Sequence, residues 1–208
     1  MKKWTITLLF LLVAGMVYPQ SRESKLRETR GKWELDENGK VAFREVFEFP
    51  GKSQDELMGL AERYFVHTFT DNPIEEFNVE GGFVRARATF SNVHYTYRVY
   101  DGDKNVSTVY NAVVEVRAPR VRVSVILHAY VETTVPDSSN PFVTDKSYEP
   151  ASWYPVNPRG GNKAYSMNVF YNSYKRAMGV INGFREFVVR PAPEPATAPG
   201  RTDEWWRN

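Results

Sequence analysis

From Phe83 to Val131 polar and apolar residues alternate with few interruptions, and this period of two commits the middle of the chain to antiparallel strands with one buried face. Val84, Ala86, Ala88 and Phe90 share one side of the first run, opposite Phe83, Arg85, Arg87 and Thr89. The pattern returns from His94 to Asp101, where Tyr95, Tyr97 and Val99 oppose His94, Thr96 and Arg98. From Tyr110 to Ala118, Tyr110, Ala112, Val114 and Val116 oppose Asn111, Val113, Glu115 and Arg117, and Pro119 then forces a corner. Val121, Val123, Val125, Leu127, Ala129 and Val131 form the longest apolar face, opposite Arg122, Ser124, Ile126, His128 and Tyr130.

The remaining elements supply what such a sheet must pack against. Trp33–Asp36 and Val41–Phe49 flank Asn38-Gly39, a pair suited to the positive backbone angles of a tight hairpin. After Pro50 and Gly51, Ser53 and Glu56 form a capping box, and Leu57, Leu60, Ala61, Tyr64 and Phe65 recur at helical spacing to about Thr68. Asp71, Asn72 and Pro73 end that helix, and Ile74–Glu80 pairs with Phe83–Asn92 around Gly81-Gly82. Asn162 caps a last helix whose stripe runs through Met167, Phe170, Tyr174, Ala177, Met178, Ile181, Phe184 and Val188. Gly179 and Gly183 inside it each cost about 1 kcal/mol relative to alanine, so a close contact or a kink is expected there. The predicted fold is α+β, an antiparallel sheet with two helices packed on one face in a helix-on-sheet arrangement.

The ends of the chain read differently. Lys2 and Lys3 precede an apolar run from about Ile6 to Val17, too short to span a bilayer and followed by Pro19 and a charged segment. Residues 1–20 are therefore expected to be a signal peptide, cleaved between Met16 and Ser21 and leaving no stable transmembrane anchor. Residues 21–31 lack periodicity and are expected to be flexible. A single domain is expected over 32–190, interrupted by a connection at 134–162 that holds five prolines and exceeds ordinary loop lengths. The Pro-rich tail 191–208 is expected to be disordered and ends near Trp205 and Trp206.

Removing the leader also removes Lys2 and Lys3, which leaves 25 basic residues balancing 25 acidic ones. Without excess positive charge the long-range attraction that drives phosphate-backbone binding is missing, so nucleic acid is not an expected partner. The chain has no cysteine, so it carries neither disulfides nor thiolate chemistry nor a lipobox cysteine. No Gly-x-Ser-x-Gly elbow, His-Glu-x-x-His pair or Walker loop is present. His67, His94 and His128 are scattered singly, and Glu45/Glu48 and Glu75/Glu76 read as charged strand edges rather than paired catalytic carboxylates. No cofactor, metal site or catalytic residue is expected.

What the alternation does offer is a polar sheet face. Arg85, Arg87, Arg98, Arg117 and Arg122 fall on the polar registers together with Thr89, Thr96 and His128. An open face of that kind can hold carboxylate or phosphate groups through bidentate hydrogen bonds, although Glu76, Glu80, Glu115 and Glu132 are available to neutralise it. Trp153 and Tyr154, followed by Pro155, offer a second candidate surface, with packing onto the protein's own sheet as the competing expectation.

The segment DENGKVAFREVFEFPGKSQDELMGLAERYF, Asp36 to Phe65, resembles the opening strand, Pro-Gly-Lys-Ser turn and Asp-Glu-Leu helix start of the domain-of-unknown-function 4468 family. The paired strands from Tyr110 to Tyr130 are similar too, while APRVRV, Ala118 to Val123, stands where family members carry a charged turn with an aromatic. The resemblance spans residues 33–133 and implies an exported bacterial protein with a TBP-like fold; it carries no functional residue, because the family has no assigned activity. The functional expectation is a non-enzymatic envelope domain that binds a protein partner or small ligand. An envelope scaffold acting through the aromatic loop and tail, and an unrecognised hydrolase, are the alternatives.

Overall fold

A computed structural model describes residues 20–69, 74–96, 103–135 and 143–190; residues 1–19, Arg98, 136–142 and the tail 191–208 lie outside the described residues. Strands β1 (Glu34–Leu35), β2 (Val41–Glu48), β3 (Ile74–Asn78), β4 (Phe83–Thr96), β5 (Asp103–Arg117), β6 (Arg120–Val135) and β7 (Thr144–Tyr148) form one antiparallel sheet. Its order is β1-β2-β6-β5-β4-β3, with β7 also pairing β6. Because β2 pairs with Arg120–Ile126 and β7 with Tyr130–Thr134, these two strands follow one another along the same side of β6.

Among the described residues three helices accompany the sheet: α1 (Arg22–Thr29), α2 (Gln54–Thr68) and α3 (Lys163–Val189). Helix α3 crosses β2, β4, β5 and β6, and α2 lies beside it against β3, β4 and β5. The core between them is aromatic: Phe43 meets Phe170 and Tyr174 at ring separations of 5.8 and 5.6 Å, and Phe184 meets Tyr64 and Phe49 at 5.5 and 6.3 Å. Both expected helix starts form. Ser53 and Glu56 close a reciprocal capping box on α2, and the Asn162 side chain accepts hydrogen bonds from the Ala164 and Tyr165 amides at the start of α3.

The two glycines inside α3 sit in different surroundings. A methyl group at Gly183 would lie 2.8 Å from the Tyr64 hydroxyl, which donates to the Val180 carbonyl at 2.7 Å, whereas one at Gly179 would meet nothing. Gly179→Ala is therefore expected to stabilise the protein by about 0.5–1 kcal/mol through helix propensity. Gly183→Ala is expected to destabilise it by about 1 kcal/mol, since it displaces a buried hydrogen bond; urea midpoints that move in the same direction for both would refute this distinction.

Three expectations need correction. Residues 21–31 are not a flexible N-terminus, because α1 occupies most of them, capped by Ser21. Its sequence has no apolar stripe, and it is held by tertiary contacts: Leu26 packs on the core, Lys25 donates to Asn168 at 2.6 Å, and Tyr171 donates to Glu28 at 2.6 Å. The 134–162 connection is not structureless, since it contains the end of β6, β7 and a 3-10 turn at Pro150–Ser152. Strand β7 escapes sequence reading because most of its residues are exposed and its conformation is set by pairing with β6.

The third correction concerns the sheet's two faces. Val109 pairs with Ala129 and Tyr110 with Leu127, so His128 is an extra residue, a β-bulge. Up to Leu127 the odd-numbered residues of β6 point to the helices; beyond the bulge Tyr130, Glu132 and Thr134 are buried instead. A second register shift lies in β4 between Phe90 and His94, where Asn92 has φ 56°, and it puts His94 and Thr96 in register with the helix-facing Val106 and with Lys104. Thr96 therefore does not share a face with the arginines.

Candidate functional site

Strand pairing lays out the sheet face away from the helices as a series of rows. Arg120 stands between Glu48 and Arg117; Arg122 between Val46 and Glu115; Ser124 between Arg44 and Val113, with Arg85 beyond. The next row runs Ala42, Ile126, Asn111, Arg87. Arg85, Arg87, Arg117, Arg122 and His128 thus do share this face as the alternation predicts, while Arg98 lies outside the described residues.

Most of these arginines already have an acid. Arg122 grips Glu115 with two hydrogen bonds of 2.6 Å, which raises its already high pKa, Arg85 pairs with Glu76 at 3.1 Å, and Arg87 lies 3.9 Å from Glu75. Arg44 pairs with Glu34. Exposed pairs of this kind contribute little stability, but they cancel charge locally. Arg117 and Arg120 are the exception. They face each other across the β5–β6 hairpin, and neither makes an ion pair among the described residues; Glu48, opposite Arg120 in register, is not within ion-pair distance.

An open concavity of about 590 Å³ lies at this hairpin, lined by Val46, Glu115, Arg117, Ala118, Pro119, Arg120 and Arg122. Here three guanidinium groups attend one carboxylate, so the site carries an excess of positive charge and unused planar donors suited to carboxylate or phosphate. Arg120 was not among the sequence candidates, although its place just after Pro119 mirrors that of Arg117 before the turn. Arg85 and Arg87 stand on β4, separated from β6 by β5.

His128 occupies the bulge on the same face, and its Nε2 is buried without a hydrogen-bond partner. Burial first, then the charges of Lys40 and Arg87, push its pKa below the ordinary histidine value. Ser124 Oγ and Asn111 Oδ1 are likewise buried and unpartnered on neighbouring rows.

Trp153 and Tyr154 lie elsewhere. The Trp153 ring sits 5.1 Å from Tyr130, 4.9 Å from Tyr148 and 5.7 Å from Tyr165, so its apolar area goes into internal packing. Lys163 lies over the Tyr154 ring at 5.8 Å. Gly160 closes this loop so tightly that a side chain there would collide with the Ser152 carbonyl.

Beneath these aromatics is a buried polar cluster that alternation alone conceals. Glu132 is 6% exposed and accepts hydrogen bonds from Lys104 Nζ at 3.0 Å and the Tyr165 hydroxyl at 2.7 Å. Burial pushes its carboxyl up, but Tyr165 and Lys104 outweigh that and hold its pKa below the usual value. His94 lies edge-on to Tyr165 at 5.1 Å and 3.2 Å from Thr96 Oγ1, and burial followed by the nearby Lys25 charge lowers its pKa. With its carboxylate held by two donors, Glu132 anchors the first turn of α3 to the sheet. Among the described residues no group of three or more His, Asp or Glu side chains is arranged to hold a metal ion.

No family model matches the sequence, and no curated protein matches it either. Solved structures do resemble it. A TBP-like protein from Parabacteroides distasonis superposes with a TM-score of 0.55 at 12% identity, covering 76% of this chain and 97% of that one. The fold is TBP-like. A DUF4468 family protein from Bacteroides ovatus gives the same TM-score of 0.55 at 13% identity, covering 80% of this chain and 95% of that one. The likeness of Asp36–Phe65 to that family therefore extends to the architecture. At such low identity the TBP-like comparison establishes the fold alone. Among the described residues no helix is long and apolar enough to cross a membrane.

Proposed function

We propose that this protein is an exported, non-enzymatic envelope domain that recognises a partner or small ligand bearing a carboxylate or phosphate group. The reading rests on one observation: Arg117 and Arg120 confront each other beside Arg122 with no acid paired to either of the first two. Two like charges held in register cost the fold energy, and an anion placed between them relieves that repulsion. Helices α2 and α3 pack on the other face, so the hairpin end of the sheet is a rigid base for such a contact. The apolar leader following Lys2 and Lys3 supports export; recovery of the protein in the cytosolic fraction with Met1 intact would contradict it.

Arg117→Glu/Arg120→Glu is the decisive variant. Each charge-assisted hydrogen bond contributes about 1.5–3 kcal/mol, so the double change is expected to weaken retention of an envelope partner or ligand by roughly 100-fold or more. Both side chains are exposed, so the thermal midpoint should hardly change. Native mass spectrometry and pulldown from an envelope extract compare the two forms. Equal recovery of the same bound species from wild type and variant would remove the hairpin as the site.

A further inference from the structure

Pairing between β3 and β4 ends at Ala86, and among the described residues no strand flanks β4 on that side from Arg87 onward. At this open edge is a groove of about 520 Å³ between the end of α2 and the middle of α3. Phe69, Phe90, Tyr110 and Val180 give it apolar walls, with Phe90 and Tyr110 stacked at 3.8 Å, while Arg87 and Thr89 form its rim. Such a groove beside an unpaired strand edge suits an extended segment carrying large aromatic side chains.

We propose that the occupant is the chain's own C-terminal segment, with Trp205 and Trp206 entering the groove and Asp203 and Glu204 meeting the cationic rim. The distances permit it. Helix α3 ends at Val189, nine residues past Val180, so its end lies about 14 Å along the helix axis from the groove wall. Residues 191–205 would span about 22 Å on average as a flexible chain and over 40 Å when extended, enough to turn back and reach the groove. A tether of matching length gives a millimolar-range effective concentration, so modest contacts suffice.

The acidic pair within that segment matches the rim locally, while Arg201 and Arg207 on either side balance its charge. Arg87 is 59% exposed and lies 3.9 Å from Glu75, a loose pair, and the Arg176 guanidinium is anchored beside the groove on the Ser91 and Asn92 carbonyls. The Asp203-Glu204 pair immediately precedes the tryptophans and would arrive at this cationic rim. The contact is distinct from the proposed anion site at the Arg117/Arg120 hairpin and would leave it open.

Hydrogen exchange on the full-length chain tests this, comparing wild type with Trp205→Ser/Trp206→Ser at two protein concentrations. The amides of residues 87–91 are expected to exchange at least tenfold faster in the variant, with no dependence on concentration. Arg87→Glu should reproduce the loss of protection, and Asp203→Arg/Glu204→Arg added to it should restore part of it. Identical exchange in wild type and the tryptophan variant would overturn the proposal. Protection that grows with protein concentration would also overturn it, because the segment would then be entering a second copy.

Discussion

Replacing Glu132 with alanine is expected to destabilise the protein by about 1.5–3 kcal/mol, because the part-buried Lys104 ammonium loses its counter-charge. The Tyr165 hydroxyl loses its acceptor in the same step. The result would appear as a lower urea midpoint with an unchanged slope, and a loss below about 1 kcal/mol would mean that water already serves the cluster.

The same residue sets part of the acid response. Glu132 has a folded pKa below its ordinary 4.5, so the stability it contributes is complete above that pH and lost as pH falls through the lower folded value. His94 and His128 act earlier. Both are held below their ordinary 6.5, so the unfolded chain takes up their protons first and stability declines as pH drops below about that value. Urea midpoints between pH 7.5 and 3 should therefore fall in two stages, and Glu132→Gln should flatten the lower one only.

Phe184→Ala is the second large effect, expected to cost about 3–5 kcal/mol through lost burial and a residual cavity. Phe184 is fully buried where α3, α2 and the segment after β2 meet, edge-on to Tyr64 and Phe49. Its neighbours are themselves large rings fixed from other elements, so the site has little freedom to collapse. Phe77→Ala, on the edge strand and 41% exposed, is the control, and should change the thermal midpoint by far less.

Elements specified by local signals are legible in the sequence, and elements held by distant partners are not. Helix α2 is legible because Ser53, Glu56 and the Leu57–Phe65 stripe are local signals, and the TBP-like arrangement follows from strands that mark their buried side plainly. Helix α1 and β7 are not legible, because each is fixed by partners 10 or more residues away and neither carries a periodic apolar face. The arginine face could be read as a set of residues, but not its pairing. Which arginine keeps an acid depends on strand register, and register distinguishes Arg122, clasped by Glu115, from Arg117 and Arg120. Glu132 looked like a surface acid available to neutralise the arginines until the bulge turned it inward.

That bulge at His128 also divides the domain into halves that answer to different conditions. On one side of it β6 presents Val121, Val123, Val125 and Leu127 to the helices, an aliphatic wall indifferent to proton concentration. On the other it presents Tyr130, Glu132 and Thr134, and Glu132 there is held by Lys104 and Tyr165. Acid strong enough to protonate Glu132 would therefore loosen the molecule from one end, freeing the first turns of α3, β7 and the Trp153 loop while the valine wall still holds. One additional residue in a single strand thus gives the domain a direction in which it opens.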